Sequence, residues 1–414
     1  MRLGTPPFSR LLVGLLTGLL VSQPPRLALA QEETALSVQK VVQQVLTVHP
    51  LTAAMQARVR IALDLVRQAG AYANPTFTFE DNDPSREHTY GLNQTLEWPF
   101  KRAYRIDVAK ADEQIAEEER GGIHQDLIAI AREAFFRVLL AQEGSRTAGA
   151  FAAATVQVRQ STEKLFREGD VPEFDVTKAN VEALRAVTEV EKAQGQRMTA
   201  EAGLKLLLGR ETDRPLSLEG SLATTPPVLP LVDLFVRAEE QNPQLAVQKQ
   251  TVRREKINLK LAWAFLVPDP TITIAKRDNL SMGVTGPIVG FSFSLPLWDR
   301  KEGAIAAASS KITAAEATLR ATRLQLHQAL LVAYRAWESA NGQVGVFVKG
   351  LIVQAEAAAA LAERRYHEGE GDLLGVLDAQ RSLFTVRRDY AQALFEQQMA
   401  WVATEHVAGI ATEQ

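Results

Sequence analysis

Apolar and polar positions alternate with two different periods along this chain, and the two periods come in blocks. TFTFE (residues 76–80) and TITIA (271–275) alternate every second residue, as half-exposed strands do. The stretches that follow them alternate too. His88, Tyr90, Leu92, Gln94, Leu96 and Trp98 share one face, and Thr89, Gly91, Asn93, Thr95 and Glu97 share the other. Phe291, Phe293, Leu295 and Leu297 likewise oppose Ser292, Ser294 and Pro296. Two strand pairs are therefore expected, over about 75–98 and 270–298, with strands of about ten residues. After each pair the period changes. Residues 101–168 and 300–368 lack proline and are rich in Ala, Leu, Glu, Gln and Arg, the strong helix formers. Spacings such as Ile123, Leu127, Ile130, Ala134 follow a helical period. At about 1.5 Å per residue each tract could reach on the order of 100 Å, against a mean globular helix of about 11 to 12 residues. Gly121–Gly122 marks a soft spot in the first tract only, with Ala321–Thr322 at the matching place in the second.

The two blocks are copies of one another. Trp98 aligns with Trp298, and an offset of 200 then runs without a gap to Ala179 and Ala379. Upstream it drifts: Asn74-Pro75 before TFTF matches Asp269-Pro270 before TITI, and helices begin near His49-Pro50 and Asn242-Pro243. Residues 31–209 form a first repeat with a long helical hairpin at 101–208; residues 230–414 form a second, with its hairpin at 300–409. The segment 210–229, with its TTPP cluster, reads as the linker. Each hairpin turns at a related motif. REGDVPEFDVTKAN (167–180) and HEGEGDLLGVLDAQ (367–380) match at Glu168/Glu368, Gly169/Gly369, Val176/Val376 and Ala179/Ala379.

Residues 1–30 change the compartment. Arg2 and Arg10, the apolar run LLVGLLTGLLV and the Ala28-Leu29-Ala30 site read as a secretory signal, the run being short for a membrane span. No cysteine occurs, which excludes disulfides, thiolate catalysis, Cys-ligated metals and a lipid-modified N-terminal cysteine. A net charge of -3 with 23% charged residues gives no reason to propose nucleic acid as a partner. On strand pattern alone a soluble sandwich is the favoured source of such alternation; the export signal raises the membrane reading. Four strands cannot close a barrel, and lipid does not tolerate open strand edges. Strands that cross a membrane would then have to be shared between copies, eight from a dimer or twelve from a trimer.

With the signal, the duplication, two strand pairs and LEWPFKR (96–102) in place, the chain resembles the TolC-type outer-membrane efflux proteins over essentially its whole mature length. LEWPFKR is similar to the LEWPGKR of the cobalt–zinc–cadmium branch, with Phe100 where that branch often has Gly. The resemblance implies a mainly α fold with a β-barrel portion: a homotrimer sharing one twelve-stranded barrel in outer-membrane lipid, above a twelve-helix periplasmic tunnel. It implies a passive duct in the outer membrane of a Gram-negative cell. Its tips would dock on a periplasmic adaptor, which joins it to an inner-membrane pump driven by protons or ATP, with protons favoured. The opening motifs become those tips. Tyr366 falls where a tip tyrosine bonds an aspartate of the first hairpin, matched here by Asp175; Asp378 falls on a carboxylate ring that narrows the pore. Gly375 and Gly371 stand where the family has a second ring acid and a locking arginine, which suggests a looser gate or one using Asp372 and Glu370. Gly169, Val171, Pro172, Gly369, Gly371 and Leu373 would face the adaptor, Pro172 stiffening the first tip and Gly371 and Gly375 loosening the second.

The plain alternative for Asp170, Asp175, Asp372 and Asp378 is capping and helix-dipole stabilisation, which needs no pore. The six histidines lie apart, and no HExxH, phosphate loop, nucleophile elbow or acid/base constellation occurs. No cofactor or resident metal is expected, and the chain does not read as an enzyme. His88 with Asp81, Asp83 and Glu87 could hold a cation weakly, though an exposed acidic turn explains the same residues. Two other duct cargoes, drugs and type I secreted proteins, stay open, as does a different class, a periplasmic adaptor or helical scaffold.

Overall fold

The computed structural model describes residues 35–82, 86–211, 215–225 and 229–410. The expected signal, Asp83 and Pro226–Pro227 of the linker lie outside those residues. Two runs of elements repeat one order. The first holds α1 (Val38–Val48), α2 (Pro50–Ala69), β1 (Thr76–Asn82), β2 (Glu87–Thr95), α3 (Pro99–Glu168) and α4 (Glu173–Leu207). The second holds α5 (Leu231–Gln241), α6 (Pro243–Ala264), β3 (Thr271–Asn279), β4 (Val284–Ser292), α7 (Glu302–Val346), α8 (Ile352–His367) and α9 (Leu373–Ala408).

Proline and polar caps set the helix starts. Pro50 and Pro243 occupy first turns, where a missing N–H costs nothing. His49 and Asn242 accept from Leu51 N–H and Leu245 N–H. The 70 residues of α3 span about 105 Å at the α-helical rise. They pass through Gly121–Gly122 without a break, because α6 packs across that point with Pro243 beside both glycines. Tertiary contact there outweighs the cost of about 1 kcal/mol per helical glycine. The soft spot lies in the second tract instead: Phe347–Leu351 forms a π turn between α7 and α8, with Phe347 against Tyr390 of α9.

The helices form a single wall. Toward the hairpin ends α4 packs on α3, α3 on α9, and α9 on α7 and α8. Toward the strands α2 packs on α3, and α6 fills the space between α3 and α7. So α2 continues the line of α4, and α6 continues the line of α9. Gly409, at φ +76°, ends α9 where a Cβ would fall 2.7–2.8 Å from backbone atoms of Gln241 and Asn242.

Two apolar cores sit at these junctions, one joining α1 (Val41, Val42, Val45) to α3 (Leu127, Ala131, Phe135, Val138), the other joining Leu234, Leu245, Leu330 and Ala408. The linker is no free tether. Leu36 exchanges backbone bonds with Ser217 and Glu219, Leu222 is buried, and Gln398 donates to the carbonyls of Leu222 and Thr224.

The four strands make one antiparallel sheet in the order β1-β2-β3-β4. Its strands have seven to nine residues, shorter than the expected ten. One row across the sheet is Phe77–Leu92–Ile274–Val289, all exposed. The opposite face carries Thr78, Gly91, Ala275, and Asn93, Thr273, Gly290.

Candidate functional site

The hairpin tips lie at the far end of the wall from the sheet, and both are built by one backbone device. At the first, Gly169 N–H donates to Phe166 C=O and Asp170 N–H to Leu165 C=O. At the second, Gly369 N–H donates to Tyr366 C=O and Glu370 N–H to Arg365 C=O. This paired bonding needs a left-handed residue, and glycine supplies it at φ +88° and +73°. The matched glycines thus have a stereochemical cause.

Beyond the glycines the tips differ. Val171 is half-buried and Pro172 starts α4 with no side-chain cap. Asp372 caps α9, its carboxylate accepting from Gly375 N–H at 3.1 Å. Gly371 donates to Arg365 C=O at 3.0 Å, and a Cβ on it would come 3.1–3.3 Å from the last turn of α8. Gly371 is therefore a close-packing position. Leu373 is buried beside Tyr366, Val376 and Leu377, so it is not a surface contact; Leu374 is exposed in its place. Asp170, Asp372 and Asp378 are exposed, and Asp175 is half-buried in the first turn of α4.

Tyr366 is buried, only 3% exposed, in an apolar cluster formed with Val158, Ala179, Leu373, Val376 and Leu377. Its hydroxyl meets Thr162 Oγ1 at 2.8 Å, while Thr162 donates to Val158 C=O at 2.9 Å. With the threonine proton so engaged, Tyr366 is the donor. Burial first, then the negative charge of Asp175, pushes the phenol above its ordinary range, so it stays neutral. Asp175 acts on the tyrosine through its field, and Thr162 is the bonded partner.

About two turns inward from Asp175, Glu182 of α4 is held by both Arg381 of α9 (Nε–Oε1 2.6 Å, with a second bond from Nη2) and Arg185 at 3.6 Å. The hydrogen bonds from Arg381 hold the Glu182 carboxyl below the usual carboxylate range, and the same contact raises the guanidinium. Asp378, one turn before Arg381, adds its field. Neither Thr162 nor the Glu182–Arg381 pair is signalled by local sequence. Across the described residues no group of three acid or histidine side chains could hold a metal; His88 pairs with Asp81 at 3.2 Å.

A family model described as "Outer membrane efflux protein" matches residues 41–210 and again 234–409. The chain belongs to the outer membrane efflux protein family. It is 25% identical over 83% of each chain to the cobalt-zinc-cadmium resistance protein CzcC of Cupriavidus metallidurans. Its fold is that of the outer-membrane channel OprN, with a TM-score of 0.78, 20% identity and 91% of each chain covered. The channel CusC aligns with a TM-score of 0.75 at 18% identity, covering 90% of this chain and 92% of that one.

As an outer membrane efflux protein the chain is a protomer of a trimeric channel: a passive duct, not an enzyme, with its sheet in the outer membrane and its helical wall in the periplasm. Three open sheets give twelve strands, and closure removes the edges that lipid does not tolerate. The exposed apolar rows then face lipid and the Thr, Gly and Asn face lines the lumen. The run from Glu302 to His367 is long and apolar enough to cross a membrane by composition, yet its apolar 18-residue segment is only 11% buried. It is one free flank of the wall, and α4 is the other.

Proposed function

We propose that this duct exports divalent metal cations, receiving them through a periplasmic adaptor from a proton-driven inner-membrane pump. The likeness to CzcC over 83% of both chains carries the cargo reading. The tips suit an adaptor. Phe174 and Leu374, matched at the same offset of 200, both stand exposed beside the turn glycines and offer apolar contacts. Exposed acids at the same end, Asp170, Asp372 and Asp378 with Asp175 behind them, become threefold rings in a trimer and favour cations over anions.

Deleting the gene and restoring it from a plasmid tests the cargo. Growth in zinc, cobalt and cadmium should fall with the deletion and return with the plasmid. Metal tolerance that does not change, together with lost drug resistance or lost export of a protein, would assign the duct to those cargoes instead.

A further inference from the structure

The two repeats meet the membrane end of the wall through the same motif, yet only one copy has found its partner. In the first, Trp98 N–H donates to Asp269 Oδ1 at 3.2 Å and the indole Nε1 to Pro268 C=O at 2.9 Å. Leu96 N–H donates to Pro270 C=O at 2.8 Å, and the hydroxyls of Thr95 and Thr271 meet at 3.1 Å. In the second, Trp298 is 92% exposed. Phe291, Phe293, Leu295 and Leu297 before it are exposed as well.

The complementary surface shows the same imbalance. Residues 268–272, which receive Trp98 and β2, are all half-buried, whereas their counterparts in the first repeat, 73–77, are all exposed. Ala73, Asn74, Pro75 and Thr76 correspond to Pro268, Asp269, Pro270 and Thr271. One unpartnered key and one unpartnered lock therefore remain on opposite edges of the sheet, on β4 and β1. Only a second copy of this chain brings them together.

We propose that Trp298 is an inter-protomer anchor, seated on Ala73–Asn74 of the neighbouring protomer as Trp98 is seated on Pro268–Asp269 within one protomer. The inference rests on the trimeric channel described above and adds its register. Phe77 pairs with Leu92 and Ile272 with Phe291, so Phe291 takes the role of Leu92. Leu92 pairs with Ile274, and Thr95 with Thr271. Carried to the next copy, Phe291 stands opposite the partner's Phe79, Phe293 opposite the partner's Phe77, and Ser294 opposite the partner's Thr76. Aromatic rings fall on the lipid face and hydroxyls on the lumen face; a slip of one residue would exchange them. The second copy has one more residue between strand and tryptophan, and the turn closed by Leu297 N–H to Leu295 C=O takes it up at 2.9 Å. Residues 293–294 lack strand form in one chain because the strand that would pair with them belongs to the neighbour.

The new joint keeps the indole and loses the charge. Asn74 stands where Asp269 binds the buried Lys101, and Lys301 already has Asp299. The carbonyl of Ala73 accepts from Gln94 Nε2 and retains a second lone pair for the indole.

The chain has no cysteine, so paired cysteines report the register directly in the assembled channel. Ser294→Cys with Thr76→Cys should give covalent dimers and trimers on oxidation, reversed by reductant. Leu295→Cys with Thr76→Cys should not, and Thr95→Cys with Thr271→Cys should close within one chain. Native mass spectrometry of each variant separates failure to form a trimer, which would sink the assembly, from a trimer that does not cross-link, which would sink the register. A ladder from the Leu295 pair alone would also overturn it. Trp298→Ala should lower the temperature at which the trimer dissociates by roughly 2–5 °C, as loss of a hot-spot tryptophan does in a chain of this size, with helix content unchanged. An unchanged dissociation temperature would place the ring in lipid as an interfacial aromatic and end its role as an anchor.

Discussion

The two repeats of this chain agree where the backbone sets the terms and differ where side chains do the fastening. Gly169 and Gly369 close the tips with the same pair of bonds, each in the left-handed region. Around them, Val171 faces Gly371, Pro172 faces Asp372, and at the membrane end a bonded Trp98 faces a bare Trp298. A duplicated protein in a ring explains the division. The first repeat borders the second repeat of its own chain; the second borders the first repeat of another. Turn geometry serves both settings equally, so it persists, while contact residues answer to different neighbours.

The membrane-end joint gives the sharpest contrast. Lys101 is 2% exposed and bound to Asp269 at 2.9 Å, whereas Lys301 is exposed and pairs only with the neighbouring Asp299. Lys101→Ala should cost about 3 kcal/mol, the usual penalty for orphaning half of a buried pair, and Lys301→Ala less than about 0.5 kcal/mol. Thermal melts of the two variants check this. Equal shifts would mean that the copies are fastened alike.

The tips come next. Arg381→Ala leaves Glu182 buried with only the longer contact to Arg185, and should cost about 2 kcal/mol. The carboxyl is held below its ordinary value, so the pair's contribution is fully present above the unfolded carboxylate pKa near 4.5. It fades as pH falls through the lower, folded value. The wild type and Arg381→Ala should therefore converge in stability in acid, and a gap that persists at pH 2 would remove the ion pair as its cause.

A smaller effect separates the tip turns themselves. Gly371→Val installs the first repeat's residue where a Cβ meets the last turn of α8 at 3.1–3.3 Å; it should cost about 1–2 kcal/mol locally. Val171→Gly should cost under about 1 kcal/mol, chiefly through chain entropy. Faster amide exchange confined to the second tip in Gly371→Val is the expected signature.

Much of this architecture can be read before the coordinates. Strand faces follow period two, helices follow proline-free runs, and the tip glycines follow from the left-handed turn that only glycine makes without strain. What stays hidden is pairing at long range. Nothing near Glu182 announces Arg381, and nothing near Tyr366 announces Thr162, because such partners meet only after α3, α4, α8 and α9 have packed. The same holds for Gly371. A glycine read alone suggests looseness, and the neighbouring turn of α8 makes it a tight fit.

Asp378 leaves stability and tests conduction. It is exposed, one turn before Arg381, and belongs to no bonded pair among the described residues. Replacing it with Ala should therefore change the melting temperature by less than the other substitutions, within the range of about 0.5 kcal/mol typical of surface sites. In a trimer the same change removes three charges from one level of the pore. If the acids of the second tip narrow the duct, single-channel recordings of Asp378→Ala should show higher basal conductance or weaker block by divalent cations. Asp170→Ala, on the first tip, serves as the comparison and should change both by less than Asp378→Ala does. Identical traces from Asp378→Ala and the wild type would remove Asp378 from the narrowing of the pore.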